Sequence, residues 1–299
     1  MPAEFSCVRG RFAPSPSGPL HFGSLVAAVG SYLSAKSKHG QWLLRIEDID
    51  SPRTVPGAAD SILRTLERFH LHWDGTVVQQ SDRLDLYQSY FDKFRLQHLI
   101  YPCHCNRARI ASLGGIYDGA CRQTVFPPDN GPVAWRLKAH QVATEFTDGV
   151  FGHQQISSAL AAEDYIIKRR DGLFAYQWVV VIDDIEQQIS EVVRGADLLQ
   201  MTPRQQALFR QLQAPVPSFA HLPLAVTAPG FKLSKQNHAT DINRFAPEVS
   251  MAAALQLLGQ PLPDELQKAS VAEQLAFALS NWQLAAVPPT PEVLLSGFQ

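Results

Sequence analysis

Arg11-Phe12-Ala13-Pro14-Ser15-Pro16-Ser17-Gly18-Pro19-Leu20-His21-Phe22-Gly23-Ser24 is the run that decides the fold. Proline and glycine stop a strand and shape the crossing to the next element, and glycine lets backbone approach a ligand closely. A helix starting directly afterwards points its unsatisfied N–H groups and positive dipole end at the same place, which favours phosphate. His21 adds a donor able to meet charge developing on a phosphoryl group. The same letters also spell an ordinary proline-rich strand-to-helix turn, so a second element must choose between the readings.

Upstream, residues 5–13 predict a strand entering the turn. Downstream, Phe22, Leu25, Val26, Val29 and Leu33 recur at helical spacing, and that helix ends near Gly40. Residues 42–46 form a short apolar strand closed by Glu47-Asp48-Ile49-Asp50 and Ser51-Pro52. Strand, turn, helix, strand is a βαβ unit of a parallel sheet. Ile62, Leu66 and Phe69 predict a second helix, and Leu86, Tyr90 and Phe94 a third. Residues 101–135, rich in Cys, Gly and Pro, break the periodicity and read as an insertion. Further on, the pattern predicts a helix over 157–170 and a buried strand over 177–182 ending at Asp183-Asp184. It also predicts a helix over 203–212 capped by Thr202 and a last core strand over 222–226, leading into a loop at Thr227-Ala228-Pro229-Gly230. From Pro247 the Ala-, Leu- and Gln-rich segments predict a small helical domain, with 287–299 as a poorly ordered tail.

At 299 residues the chain is long enough for one large and one small domain. It has no apolar run of membrane-spanning length, and its first residues lack a basic region followed by an apolar core, so the expected location is the cytoplasm, with no membrane partner. A net charge of −2 does not suit a general wrapper of nucleic acid. It leaves room for a local RNA-facing patch, for which Arg107, Arg109, Lys168, Arg169, Arg170, Arg204 and Arg210 are the candidates.

Three of the four cysteines, Cys103, Cys105 and Cys121, crowd into one stretch of the insertion. A reducing compartment keeps them as thiols, so the clustering favours a metal over a disulfide. Three thiolates suit tetrahedral zinc and need one more ligand. His104 is the commonest ligand type nearby, although its place between two ligands disfavours it, and the residues alone leave the fourth ligand open. A reduced trio packing a loop is the alternative.

The second element is Phe231-Lys232-Leu233-Ser234-Lys235-Gln236, directly after a Pro-Gly loop. Two lysines flanking a small residue can close over a triphosphate and stabilise charge in phosphoryl or adenylyl transfer. Together the two elements resemble the class I aminoacyl-tRNA synthetase motifs usually written HIGH and KMSKS, here His21-Phe22-Gly23-Ser24 and Lys232-Leu233-Ser234-Lys235-Gln236. Three stretches resemble the glutamyl/glutaminyl branch: residues 11–18, Leu44-Arg45-Ile46-Glu47-Asp48-Ile49-Asp50, and Ala175-Tyr176-Gln177-Trp178 through Asp184 with Val193-Arg194-Gly195-Ala196-Asp197. The resemblance runs from residue 9 to near residue 245.

It implies an α/β fold with a Rossmann-type parallel sheet. The catalytic domain would span 1–245, with a zinc-binding insertion at 101–135, and a small helical domain and tail would span 246–299. It implies an ATP site of Pro14, His21, Gly23, Ser24, Lys232, Ser234 and Lys235, with His21 and Lys235 catalytic and Mg²⁺ accompanying ATP. It implies a glutamate site of Arg11, Ala13, Ser15, Glu47, Tyr176 and Arg194. The chemistry agrees, because guanidinium forks suit the two carboxylates of glutamate and Glu47 suits its ammonium. Which arginine takes which carboxylate stays open. Tyr117 matches the fourth zinc ligand of the short glutamyl synthetase-like proteins, and four protein ligands would make one structural Zn²⁺ per chain. Ser24 replaces the usual second histidine, and Gln236 departs from the second motif.

Residues 246–299 are too few for the anticodon-binding domain of the full-length enzymes. The short members of the branch activate glutamate with ATP and attach it to the queuosine base in the anticodon loop of tRNA(Asp). The implied partners are therefore ATP, L-glutamate and queuosine-containing tRNA(Asp), with the chain acting as a monomer. The alternatives are a truncated enzyme charging the 3′ end of a glutamate tRNA, or a non-catalytic paralogue binding RNA or amino acid. The intact set of His21, Lys235, Glu47 and two arginines argues against the paralogue.

Overall fold

The computed structural model describes residues 7–124, 131–228, 231–232 and 240–295. Strand β1 (Arg9–Phe12) enters the proline-rich run and helix α1 (Phe22–Lys36) leaves it. Strand β2 (Gln41–Ile46) then pairs parallel with β1, from Arg9 opposite Gln41 to Phe12 opposite Leu44. This is the expected βαβ unit. Helix α2 (Ala58–Arg68) leads to β3 (Val78–Gln79), a third parallel strand on β2. Helix α3 (Leu84–Leu96) buries Tyr87, Phe91 and Phe94 in a second apolar cluster.

The insertion builds its own antiparallel sheet from β4 (Ile100–Cys103), β5 (Ala134–Leu137) and β8 (Tyr165–Lys168). Between them lie the short α4 (Arg107–Ser112), the hairpin β6 (Glu145–Asp148) and β7 (Gly152–Gln155), and α5 (Ser158–Ala162). The helix expected over 157–170 is thus corrected to little more than one turn. Ser157 caps it through Leu160 N–H, but Glu163 turns extended and Tyr165–Lys168 takes its hydrogen bonds from β5 instead.

The buried strand expected over 177–182 is also corrected. These residues belong to helix α6 (Tyr176–Glu186), in which Trp178, Val179, Val180, Val181, Ile182, Asp183 and Asp184 are all buried. A helix surrounded on every side shows no apolar stripe, and its Val run carries strand propensity, so local signals point the wrong way. Strand β9 (Glu191–Gly195) follows, then α7 (Thr202–Gln211) and β10 (Ser218–Leu222), which pairs parallel with β9. Ser190 N–H donates to Arg9 O at 3.0 Å, which seats β9 beside β1. Thr202 is the first residue of α7 rather than its cap, because a 3₁₀ turn over Ala196–Met201 runs straight into the helix.

Pro223 has no N–H to give a ladder, and the single strand expected over 222–226 is split there into β10 and β11 (Leu224–Ala228). Thr227 and Ala228 are therefore strand, not loop. Strand β12 (Phe231–Lys232) pairs antiparallel with β11. Helices α8 (Pro247–Leu257) and α9 (Val271–Asn281) supply Met251, Leu255 and Leu275 to the same apolar cluster as Val29 and Leu33 of α1. The tail expected to be poorly ordered contains β13 (Glu292–Leu294), which lies parallel to β11 and corrects that expectation through residue 294.

Helix α8 ends on a Schellman motif: Gln260 N–H donates to Leu255 O at 2.8 Å and Gly259 N–H to Gln256 O at 3.1 Å. Gly259 holds φ +70°, and a Cβ there would lie 2.1 Å from Ala286 O. Gly259→Ala is therefore expected to cost more than the roughly 1–2 kcal/mol of a left-handed alanine. The expected readout is a lower urea midpoint with unchanged slope.

Candidate active site

The carboxyl ends of the parallel strands carry two adjoining cavities. The first, of about 240 Å³, is lined by residues including Pro14, Ser15, His21, Gly23, Ser24 and Asp197. It opens at the start of α1, whose first turn has no acidic residue to oppose an anion. His21 caps that helix, its Nδ1 accepting Ser24 N–H at 3.3 Å. An acceptor Nδ1 places the neutral ring's proton on Nε2, so His21 can donate from its other nitrogen. Leu224 and Ala225 of β11 line the same cavity, and β12 pairs with β11. His21 and Asp241 form an antiparallel bridge, and Ile242 N–H donates to Leu20 O at 2.9 Å. The backbone on both sides of the second motif is thus anchored beside the cavity. Ser234 and Lys235 themselves lie outside the described residues.

The second cavity, of about 270 Å³, is lined by residues including Ser15, Glu47, Asp50, Arg169, Ala175 and Tyr176. Ser15 belongs to both cavities. Glu47 N–H donates to Pro14 O at 3.0 Å, which stitches the end of β2 to the proline-rich run. Arg11 on β1 and Arg194 on β9 are buried and line neither cavity, but stand close behind the wall of the second: the Arg11 charge acts on both Glu47 and Tyr176, and the Arg194 charge on Tyr176. Ala13 follows β1 half-buried and lines neither cavity. Two sequence stretches more than a hundred residues apart therefore converge on one small polar site.

Three charged residues that motif reading did not single out complete it. Arg45, in the middle of an otherwise apolar strand, is fully buried. Its Nη1 lies 2.9 Å from Asp184 Oδ1, its Nη2 3.6 Å from Glu47 Oε1 and its Nε 3.7 Å from Asp183 Oδ2. Arg11 Nε donates to the same Asp184 oxygen at 3.2 Å. A lone arginine in an apolar strand, and two aspartates ending an apolar run, were the available signals. Burial pushes Glu47 up to about 7, with Arg45 and then Arg11 pulling the other way. Burial also works against ionisation of Asp184, but Arg11 and Arg45 outweigh it and hold that carboxyl below its usual range. The result is one firmly ionised carboxylate behind the site and one poised carboxyl, Glu47, in the cavity wall.

Cys103 closes β4, and the chain brings Cys105 and Cys121 to it, so that one sulfur from each lies within 4.8 Å of the others. The Cys105 and Cys121 sulfurs are 3.6 Å apart. Tetrahedral zinc with Zn–S near about 2.3 Å separates its sulfurs by about 3.8 Å, so the spacing fits a metal ion. Tyr117 is buried beside them, its hydroxyl oxygen accepting Cys121 N–H at 2.7 Å. Arg136 Nε donates to Cys103 Sγ at 3.2 Å, and its guanidinium lies 3.7 Å from the centre of the Tyr117 ring. Burial and the neighbouring thiols push Cys105 up to about 11, a shift that a bound dication would reverse.

The basic residues considered as an RNA-facing patch divide. Arg204 is buried and donates to Leu160 O and Glu163, and Lys168 stands over the Phe91 and Phe174 rings. Arg109 is held by Asp118, and Arg169 by Asp50 and Asp171. Arg107, Arg170 and Arg210 remain exposed.

Residues 7–247 match the family model described as tRNA synthetases class I (E and Q), catalytic domain. A glutamyl-Q tRNA(Asp) synthetase of Serratia proteamaculans is 52% identical over 279 residues, covering 93% of this chain and 91% of its own length. The protein of that name from Escherichia coli (strain K12) is 53% identical over 279 residues, covering 93% and 90%. A crystal structure of glutamate-tRNA synthetase from Elizabethkingia anophelis superposes with a TM-score of 0.79 at 24% identity, over 97% of this chain and 68% of that one. The chain belongs to the class I tRNA synthetases of the E and Q branch, and within it to the family of the glutamyl-Q tRNA(Asp) synthetases.

Proposed function

We propose that the protein activates L-glutamate with ATP and transfers it to the queuosine base in the anticodon loop of tRNA(Asp), acting as a cytoplasmic monomer. The observation that carries this reading is the pair of cavities joined at Ser15, one headed by a helix N-terminus and the other walled by Glu47 and Tyr176, with Arg11 and Arg194 buried close behind them. Glutamate lies in the second cavity, its ammonium on Glu47 and its carboxylates toward Arg11, Arg194 and Tyr176. ATP lies in the first, along Pro14, Gly23 and Ser24, with His21 Nε2–H on its phosphates and Lys232, Ser234 and Lys235 closing over them. The α-carboxylate oxygen attacks the α-phosphorus through the Ser15 junction; the new O–P bond forms as the P–O bond to pyrophosphate breaks. His21 and Lys235 stabilise the charge that builds on the phosphates. Mg²⁺ enters with the nucleotide as its counter-ion and needs no dedicated protein cage. A queuosine hydroxyl then attacks the glutamyl carbonyl, an ester forms, and AMP leaves with its phosphate taking the proton.

Cys103, Cys105, Cys121 and Tyr117 would hold one Zn²⁺, which crosslinks the insertion and does no chemistry, since four protein ligands leave no open position. Residues 246–299 serve as a small helical domain on the catalytic unit of 1–245, and the packing of α8 and α9 on α1 supports that role.

The test is transfer of labelled glutamate, with ATP, to tRNA(Asp) carrying or lacking queuosine and to tRNA(Glu). Label on queuosine-containing tRNA(Asp) alone is expected, and label on tRNA(Glu) alone would overturn the reading. Lys235→Ala is expected to lower ATP–pyrophosphate exchange by about 100-fold or more, the scale of removing a charge stabiliser from a transferring phosphate, with an unchanged thermal midpoint.

A further inference from the structure

Arg194 is gripped from behind by a buried chain that begins in the insertion. Its Nε–H donates to His221 Nε2 at 3.0 Å, and its Nη2 donates to Thr202 Oγ1 at 3.0 Å and Leu198 O at 3.3 Å. His221 on β10 faces the other way with Nδ1, 2.6 Å from Asp148 Oδ2. Both His221 and Asp148 side chains are fully buried. Asp148 closes strand β6, and its other oxygen accepts three backbone N–H groups, from Val150, Phe151 and His221. The hairpin is tied down by Gly149 N–H donating to Phe219 O at 2.8 Å.

These contacts dictate a tautomer. A carboxylate only accepts, so Nδ1 must carry the proton, which leaves Nε2 as an acceptor for Arg194. We propose that Asp148 and His221 are positioning residues for glutamate binding: Asp148 sets the His221 tautomer, and His221 with Thr202 aims the Arg194 guanidinium at Tyr176 and the substrate. Holding Nε and Nη2 in this way fixes the rotation of the guanidinium fork, and carboxylate binding by a fork depends on that rotation. Burial keeps His221 below its usual range, with Asp148 opposing and Arg194 assisting, so the neutral ring is the working form. Asp197 is the other acidic group acting on His221.

The inference rests on the assignment of Arg194 to a glutamate carboxylate, and Asp148→Asn tests it. The isosteric amide must keep its oxygen for the three backbone N–H groups. It therefore turns its NH₂ toward Nδ1, driving the imidazole proton onto Nε2 and setting two donors against each other at Arg194. In tRNA-independent ATP–pyrophosphate exchange, the expected result is a glutamate KM raised about 10- to 50-fold, equivalent to roughly 1.4–2.3 kcal/mol, with ATP KM and kcat within about twofold. Long-range ¹H–¹⁵N spectra of histidine-labelled protein, assigned with His221→Gln, should show the proton on Nδ1 in the wild type and on Nε2 in Asp148→Asn. A wild-type His221 protonated on Nε2 overturns the proposal even if the variant fails to fold. Arg194→Lys separates the two levels. If it raises glutamate KM while Asp148→Asn, folded and with the flipped tautomer, does not, the relay is wrong and the site reading stands. If Arg194→Lys leaves glutamate KM unchanged, the site reading falls and takes the relay's role with it.

Discussion

Glu47→Gln is expected to raise the glutamate KM about 100-fold at pH 8, because a largely desolvated charge pair with the ammonium is worth roughly 2–5 kcal/mol when one partner is removed. ATP KM should stay within about twofold, since Glu47 lines only the second cavity. The pH dependence carries a further signature. Free Glu47 titrates at about 7, raised by burial against the pull of Arg45 and Arg11. Only its ionised form can hold the ammonium, so wild-type kcat/KM for glutamate should rise with pH up to about 7 and level off above it, and binding below that pH should release a proton. Stability runs in the opposite direction. A carboxyl whose folded pKa lies above its unfolded value contributes stability that is fully present below the unfolded pKa and is lost as pH rises through the folded one. Glu47→Gln removes that loss, so its thermal midpoint should gain on the wild type between pH 5 and pH 8 while its glutamate affinity collapses. A flat wild-type glutamate KM from pH 6 to pH 8 would contradict this assignment.

Cys121→Ala is expected to remove about one zinc per chain and to speed amide exchange across residues 101–124 by about 100- to 1,000-fold. The cluster is where the insertion holds itself together. Around it are Arg136 on Cys103, Arg109 on Cys105 and Tyr117 beneath Arg136, with little other apolar packing. Without a dication, buried thiols and a buried tyrosine would protonate, and Arg136 and Arg109 would face neutral sulfur, keeping only Glu163 and Asp118 as anionic partners. ATP–pyrophosphate exchange should change by less than about threefold, because neither cavity contains a residue of the cluster and the metal's role is local folding. Full zinc retention in this variant, or zinc-free wild-type protein under reducing conditions, would sink the metal reading.

Much of the architecture was legible because it rests on local rules. The strand at Arg9–Phe12, the helix from Phe22 and the strand ending at Ile46 follow from apolar period and from Pro and Gly punctuation. The misreadings share a physical cause. Helix α6 is buried on every side, so it has no stripe for a periodicity argument to find, and its valines argue locally for a strand. Residues 165–168 left the expected helix because β5 offered them a ladder, and residues 292–294 were ordered by the edge of β11. In each case a partner distant in sequence outweighed a weak local preference.

The same division holds at the site. The sequence by itself determined the class of protein, the histidine and lysine motifs, the residue types suited to glutamate, and the crowding of three thiols, because each is carried by residues close together along the chain. Tertiary structure alone decided that Arg45 lies between Glu47, Asp183 and Asp184, and that Arg136 braces the thiols. It alone placed Asp148 and His221, 73 residues apart, behind Arg194. A buried charge must find its counter-charge wherever the fold brings one, and the spacing of residues along a chain holds no record of which distant group that will be.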